Sequence, residues 1–204
     1  MKIKTLLLTA CTAALALSPL SGVFAESAEV APNMFGGASY QGEPALAVTS
    51  ALVKAGGGAD DFSFAKALVN MLGQDTVEAE IAKLNEQYGE EEVKTFIEGM
   101  DLAIAYSLKR AGEAGIALPA PADLSGQELA KTLVQAGTTP DGTFWSGYLF
   151  DKAISHTLHN QVMGDINVTA GYEADKTTHK ILNQAMYDVA QALGMKDVKL
   201  AALH

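Results

Sequence analysis

The sequence predicts an all-α protein: a compact helical domain of about six helices, organised as one domain over residues 43–204. Three observations carry that expectation. After residue 43 the apolar residues recur at three- and four-residue steps. The interruptions fall on Gly and Pro clusters. No segment alternates apolar and polar residues as a half-buried strand must.

The N-terminus comes first. Met1-Lys2-Ile3-Lys4 is a short basic region, and Thr5 to Leu17 is an apolar run too short to span a bilayer as a helix. Ser21-Gly22-Val23-Phe24-Ala25 offers a cleavage site with small residues where a signal peptidase reads them. A bacterial-type signal peptide over 1–25 is therefore expected, with a periplasmic or secreted mature chain beginning at Glu26. Leu8-Thr9-Ala10-Cys11 also has the form of a lipobox, so a lipoprotein anchored at Cys11 is the lesser alternative. Cys11 is the only cysteine, so the mature chain has no disulfide and no thiolate ligand.

Residues 26–42 read as a flexible leader, broken by Pro32, Gly36-Gly37 and Gly42. Glu43-Pro44 opens a first helix, Pro being tolerated in a first turn, and Gly56-Gly57-Gly58 stops it. Asp61 or Ser63 caps the next, which carries Phe64, Leu68, Met71 and Leu72 to Gly73. Asp75-x-x-Glu78 has the chemistry of a capping box, and Val77, Ile81, Leu84 and Tyr88 follow it to Gly89. Glu90 to Ala114 reads as the longest helix, with acids at its start and Lys109 and Arg110 near its end, as the macrodipole prefers. Pro119 and Pro121 mark a linker. Ser125-x-x-Glu128 caps a helix that ends at Gly137, and Thr139-Pro140-Asp141-Gly142 is a turn. Phe144 to about Ile166 reads as one long helix, apolar almost all round and therefore central. A loop over 167–173 leads to a last helix from about Asp175 to Leu193.

Two internal echoes stand out. Leu52-Val53-x-Ala55-Gly56 returns as Leu133-Val134-x-Ala136-Gly137, each followed by an Asp and then an aromatic-led helix. This suggests two pseudo-repeated halves, 43–114 and 125–195, joined by the Pro-containing linker. The second echo is chemical. His156, Asn160, Gln161, Met163 and Asp165 recur 23 residues later as His179, Asn183, Gln184, Met186 and Asp188. On a helix, His156, Asn160 and Met163 share a face, as do His179, Asn183 and Met186. An antiparallel hairpin of the last two helices would bring those faces together, with His159 added from the first.

Neutral imidazoles and thioethers suit a transition metal, and a His/Met pair suits a noncovalent haem, since no Cys-x-x-Cys-His is present. The expectation is an exported binding protein with metal ligands His156, His159, His179, Met163 and Met186. Asp165, Asp188, Asn160 and Asn183 would orient them. The alternative is a structural or protein-interaction domain in which the same polar residues only join the helices by hydrogen bonds. Acid–base catalysis by His with Asp is a third reading.

Charge excludes other partners. Loss of Lys2 and Lys4 leaves 12 basic residues against 24 acidic ones, a formal charge of −12. Nucleic-acid binding needs a basic face, and none is present. No segment of the mature chain has the apolar length of a membrane span, which leaves a small ligand, a metal or a protein as partner. Gly56-Gly57-Gly58 lacks the Lys-Ser/Thr of a phosphate loop, and no Gly-x-Ser-x-Gly nucleophile elbow exists.

Overall fold

The computed structural model describes residues 43–201 apart from 119, 125, 155 and 172, with only the backbone for 43–47, 154 and 156. The segments expected to be a signal peptide and a leader, Cys11, and Ser125, expected to cap a helix, lie outside the described residues.

The fold is all-α, with eight helices among the described residues: α1 (Glu43–Gly56), α2 (Phe64–Leu72), α3 (Gln74–Tyr88), α4 (Glu90–Glu113), α5 (Gly126–Gly137), α6 (Ser146–Ile154), α7 (His156–Ala170) and α8 (Ala174–Ala192). None is long and apolar enough to cross a membrane. Two short strands, β1 (Thr143–Phe144) and β2 (Lys199–Leu200), pair in parallel. A two-residue strand is too short to show alternation, which is why the sequence did not reveal it.

The count exceeds six mainly because the helix expected over 144–166 is two helices. Phe144 belongs to β1, α6 ends at Ile154 and α7 starts at His156. Both pieces are apolar, so the hydrophobic pattern runs through the break. The 167–173 loop also shrinks, because α7 continues to Ala170. Ser63 caps α2, its Oγ accepting the Lys66 amide at 3.4 Å. Asp75 does not cap α3: it sits inside the first turn, and Gly73 holds the cap position without a side-chain bond.

α4 is the central helix, packed most extensively against α7 and α8. Its buried stripe of Val93, Phe96, Met100, Ala103 and Ile104 meets Val162 and Ile166 of α7 and Ile181, Leu182 and Val189 of α8 in one core. Each large apolar side chain so buried contributes about 1.5–3 kcal/mol. Arg110 fastens α4 to α7 with a two-pronged ion pair to Asp165, at 2.8 and 2.7 Å.

From α2 and α6 onward the two segments share several local features. Both helices have nine residues, and α3 and α7, which follow them, both have fifteen. Just before them, the Ser63 amide donates to the Gly56 carbonyl and the Trp145 amide to the Gly137 carbonyl, each at 3.0 Å. A Cβ on Gly56 would overlap the Phe62 ring, and one on Gly137 the Phe144 ring. The first amide of each following helix takes a side-chain acceptor 37 residues downstream. Phe64 N donates to Asp101 Oδ1 at 2.6 Å, and Ser146 N to Asn183 Oδ1 at 2.7 Å. These bonds satisfy a helix-start donor that has no partner within its own helix. At the far end, Gly89 and Gly171 adopt φ of 93° and 100° and donate to the carbonyls of Asn85 and Asn167. These shared features recur at an offset of 82 residues, as from Phe64 to Ser146.

Candidate functional site

At the meeting of α6, α7 and α8 four polar side chains form one hydrogen-bonded file. Asp151 Oδ1 lies 2.7 Å from His159 Nδ1. His159 Nε2 lies 3.2 Å from His179 Nε2. His179 Nδ1 lies 2.6 Å from Ser146 Oγ. Asp151, His159 and Ser146 are buried, Ser146 completely. Phe150 walls the file: its ring stacks on His159 at 5.3 Å and meets His179 edge-on at 5.7 Å.

The local sequence explains the convergence. Ser146 and Phe150 are four apart and share a face of α6, with Asp151 beside them. His179 and Asn183 likewise share a face of α8. Because the Asn183 carbonyl holds the Ser146 amide, that one helix face fixes both the start of α6 and the hydroxyl that follows. The Asn183 Nδ2 is buried with no hydrogen-bond partner among the described residues.

Proton bookkeeping allows two states. In the first, the Asp151 carboxylate accepts the His159 Nδ1–H, His159 Nε2 accepts the His179 Nε2–H, and His179 Nδ1 accepts the Ser146 O–H. Every contact is satisfied with both rings neutral. In the second, His179 Nδ1–H donates to Ser146 Oγ. Both Nε2 lone pairs then face each other at 3.2 Å, a contact that requires a cation between them. Burial, and then the neighbouring His159, pull His179 down to about 4, against the opposing pull of Asp175 and Asp151. His179 is therefore neutral at physiological pH.

The sequence-predicted residues part company here. His159 and His179 come together. The side chain of His156 lies outside the described residues. Met163 and Met186 are buried in the core. Asn160 is exposed, whereas its echo partner Asn183 is buried in the site. Asp165 is engaged by Arg110, and Asp188 by Lys83 at 2.5 Å. The echo between α7 and α8 thus joins residues in unlike surroundings. Under the 82-residue correspondence the counterpart of His179 is Ile97, not His156.

Sequence reasoning missed Ser146, Phe150 and Asp151. Asp151 left one signal: it is one of only two acids, with Asp165, in the strongly apolar stretch 144–166. Among the described residues, no group of three or more His, Cys, Asp or Glu side chains is placed to hold a metal ion. No family model, no curated protein and no solved structure matches this chain.

Proposed function

We propose that this is an exported helical binding domain, built from two diverged copies of one helical unit, whose His159–His179 pair takes up a single transition-metal ion. One observation carries the reading. The positions that correspond to Ser146, Asp151, His159 and His179 are Phe64, Val69, Val77 and Ile97, so this helical arrangement packs without the polar file. Burying polar groups has a desolvation cost that apolar side chains avoid, and a fold that does not need them retains them for their chemistry.

The chemistry on offer is specific. Asp151 and Ser146 can each accept an Nδ1–H, which leaves both Nε2 lone pairs for a shared cation, the usual support of a metal-binding imidazole. Two nitrogens on a tetrahedral ion at 2.0–2.1 Å stand about 3.4 Å apart, close to the 3.2 Å between these two. Water or an incoming ligand would complete the shell.

The second reading is an interhelical lock, favoured by the fact that the four groups satisfy one another and Ser146 is fully enclosed. Titration of untagged, metal-free mature protein with Co²⁺ separates the two. The metal reading expects one equivalent per chain with a visible tetrahedral spectrum, lost in His159→Ala and in His179→Ala. The absence of stoichiometric binding, or binding that survives in both variants, leaves the lock.

A further inference from the structure

The two ends of the polar file differ in kind. At one end the Asp151 carboxylate, which only accepts, faces His159 Nδ1 at 2.7 Å. That end fixes His159 as the Nδ1–H tautomer, with its Nε2 lone pair toward His179. At the other end a hydroxyl faces His179 Nδ1 at 2.6 Å, and a hydroxyl both donates and accepts. Ser146 Oγ also has a second acceptor within reach, the His179 backbone carbonyl at 3.5 Å. His159 is therefore held in one tautomer, whereas His179 has a partner that suits either.

The contact between the rings decides which tautomer His179 takes. In the metal-free protein the His159 lone pair needs a donor at 3.2 Å, so His179 carries its proton on Nε2. The Ser146 hydroxyl then donates to the bare Nδ1. A cation shared by the rings needs both Nε2 lone pairs, so His179 must carry its proton on Nδ1 instead. That proton then needs an acceptor, and Ser146 Oγ becomes one only if its own hydrogen turns elsewhere.

We propose that Ser146 is the switch of the His pair. Its hydroxyl donates to His179 Nδ1 in the metal-free protein. It turns to the His179 carbonyl when a metal ion binds, so that Oγ accepts the Nδ1–H. This inference rests on the proposed metal site and adds how that site is closed and opened. A hydroxyl hydrogen rotates to suit its partners, so the turn needs no movement of the backbone. The ring loses a proton from Nε2 and gains one on Nδ1 by exchange with water, so none is gained or lost overall. His179 is the less buried of the two histidines, which suits it to be the ring that exchanges. The interhelical lock and the metal site are then two states of one arrangement. Ser146 touches no ion in either state and acts by positioning His179.

The test is the tautomer of each ring, read by long-range proton–nitrogen NMR correlation on histidine-labelled mature protein, metal-free and then with one equivalent of Zn²⁺. Without metal, His159 should carry Nδ1–H and His179 Nε2–H. With Zn²⁺, His179 should change to Nδ1–H while His159 stays as it is. Ser146→Ala should weaken Zn²⁺ binding by about 10–100-fold, the usual cost of removing the support of a metal-bound imidazole. Ser146→Thr, which keeps the hydroxyl, should restore both the affinity and the change of tautomer. Should circular dichroism show either variant unfolded, the spectra of the native protein decide alone. Zn²⁺ uptake with His179 already in the Nδ1–H form before metal is added overturns the switch and leaves the metal site standing. So does a folded Ser146→Ala that binds Zn²⁺ as tightly as the native protein. No uptake of Zn²⁺ by the native protein overturns the metal site, and the switch with it.

Discussion

Under the proposed duplication, two regions of this molecule take corresponding places in the two halves, and they have opposite chemistry. Around α6, α7 and α8 the interior holds Ser146, Asp151, His159 and His179 in a polar file. Around α2, α3 and α4 the corresponding positions are Phe64, Val69, Val77 and Ile97, and three of these line a hollow. The frameworks share the Gly-aromatic contact, the helix-start acceptor and the Gly-ended third helix. Backbone design and interior chemistry are therefore separable here. The first follows from caps, glycines and apolar period. The second is free to vary within it.

The largest effect should come from breaking the polar file at its anchor. Asp151→Ala removes the acceptor for the His159 Nδ1–H in a buried site and should cost about 4 kcal/mol. Val69→Ala, its counterpart, should cost only about 1–2 kcal/mol. Copying the N-terminal chemistry at three of the four positions, as Asp151→Val with His159→Val and His179→Ile, should recover most of the stability lost in Asp151→Ala. Urea unfolding of the three proteins decides it. A triple variant weaker than Asp151→Ala alone would mean that the halves are not interchangeable in packing.

The next effect is in pH, where the two regions pull in opposite directions. His179 is neutral in the fold down to about 4, but protonates near 6.5 once unfolded. Its contribution is complete above about 6.5 and is lost as pH falls toward 4, amounting to about 3 kcal/mol. Glu80, pushed up by burial and then by Asp188, keeps its proton in the fold up to about 7, against 4.5 when unfolded. Its contribution is complete below 4.5 and is lost as pH rises through 7. The slopes oppose one another over nearly the same window. Glu80→Gln should therefore show a steeper gain in Tm from pH 4 to 6.5 than the native protein. An unchanged profile by differential scanning calorimetry would count against this balance.

A smaller effect tests the shared framework. Gly56→Ala and Gly137→Ala each push a methyl group into an aromatic ring and should each cost about 1–3 kcal/mol. Costs that differ by more than the measurement error would show that the two contacts are not equivalent. The smallest effect is an exchange of helix-start acceptors. Asp101→Asn and Asn183→Asp keep the bonds to Phe64 N and Ser146 N and should each shift stability by less than about 1 kcal/mol. Asn183→Asp alone should also raise the His179 pKa, since it adds an anion on the same helix face, and NMR titration of the imidazole would show it.

Much of the framework was legible because glycine and period are local signals. Gly56, Gly73, Gly89 and Gly137 mark helix ends in the sequence and in the structure. The Leu-Val-x-Ala-Gly echo pointed to positions that share a hydrogen bond and a ring contact. The site was legible only by half. His159 and His179 carry chemistry visible in one letter. Ser146 and Asp151 matter through neighbours 33 and 8 residues away, and no local pattern encodes that distance. The His-Asn-Gln-Met-Asp echo also pointed to Asp165 and Asp188, which pair with Arg110 and Lys83, because similar residues on α7 and α8 face different elements.

The parallel pairing of β1 with β2 has a consequence for the order of assembly. Lys199 Nζ reaches the carbonyl of Asp141, 58 residues back, and the Lys199 amide bonds Gly142. Everything between is one loop, and every member of the polar file lies inside it. Closing a loop of that length costs more entropy than the contacts inside it, which span 8, 20 and 33 residues. The His pair should therefore be able to form before β1 and β2 join, and their joining then restrains the ends of the segment that carries it. That would make the two-residue strand a clasp on the site rather than a decoration of the fold.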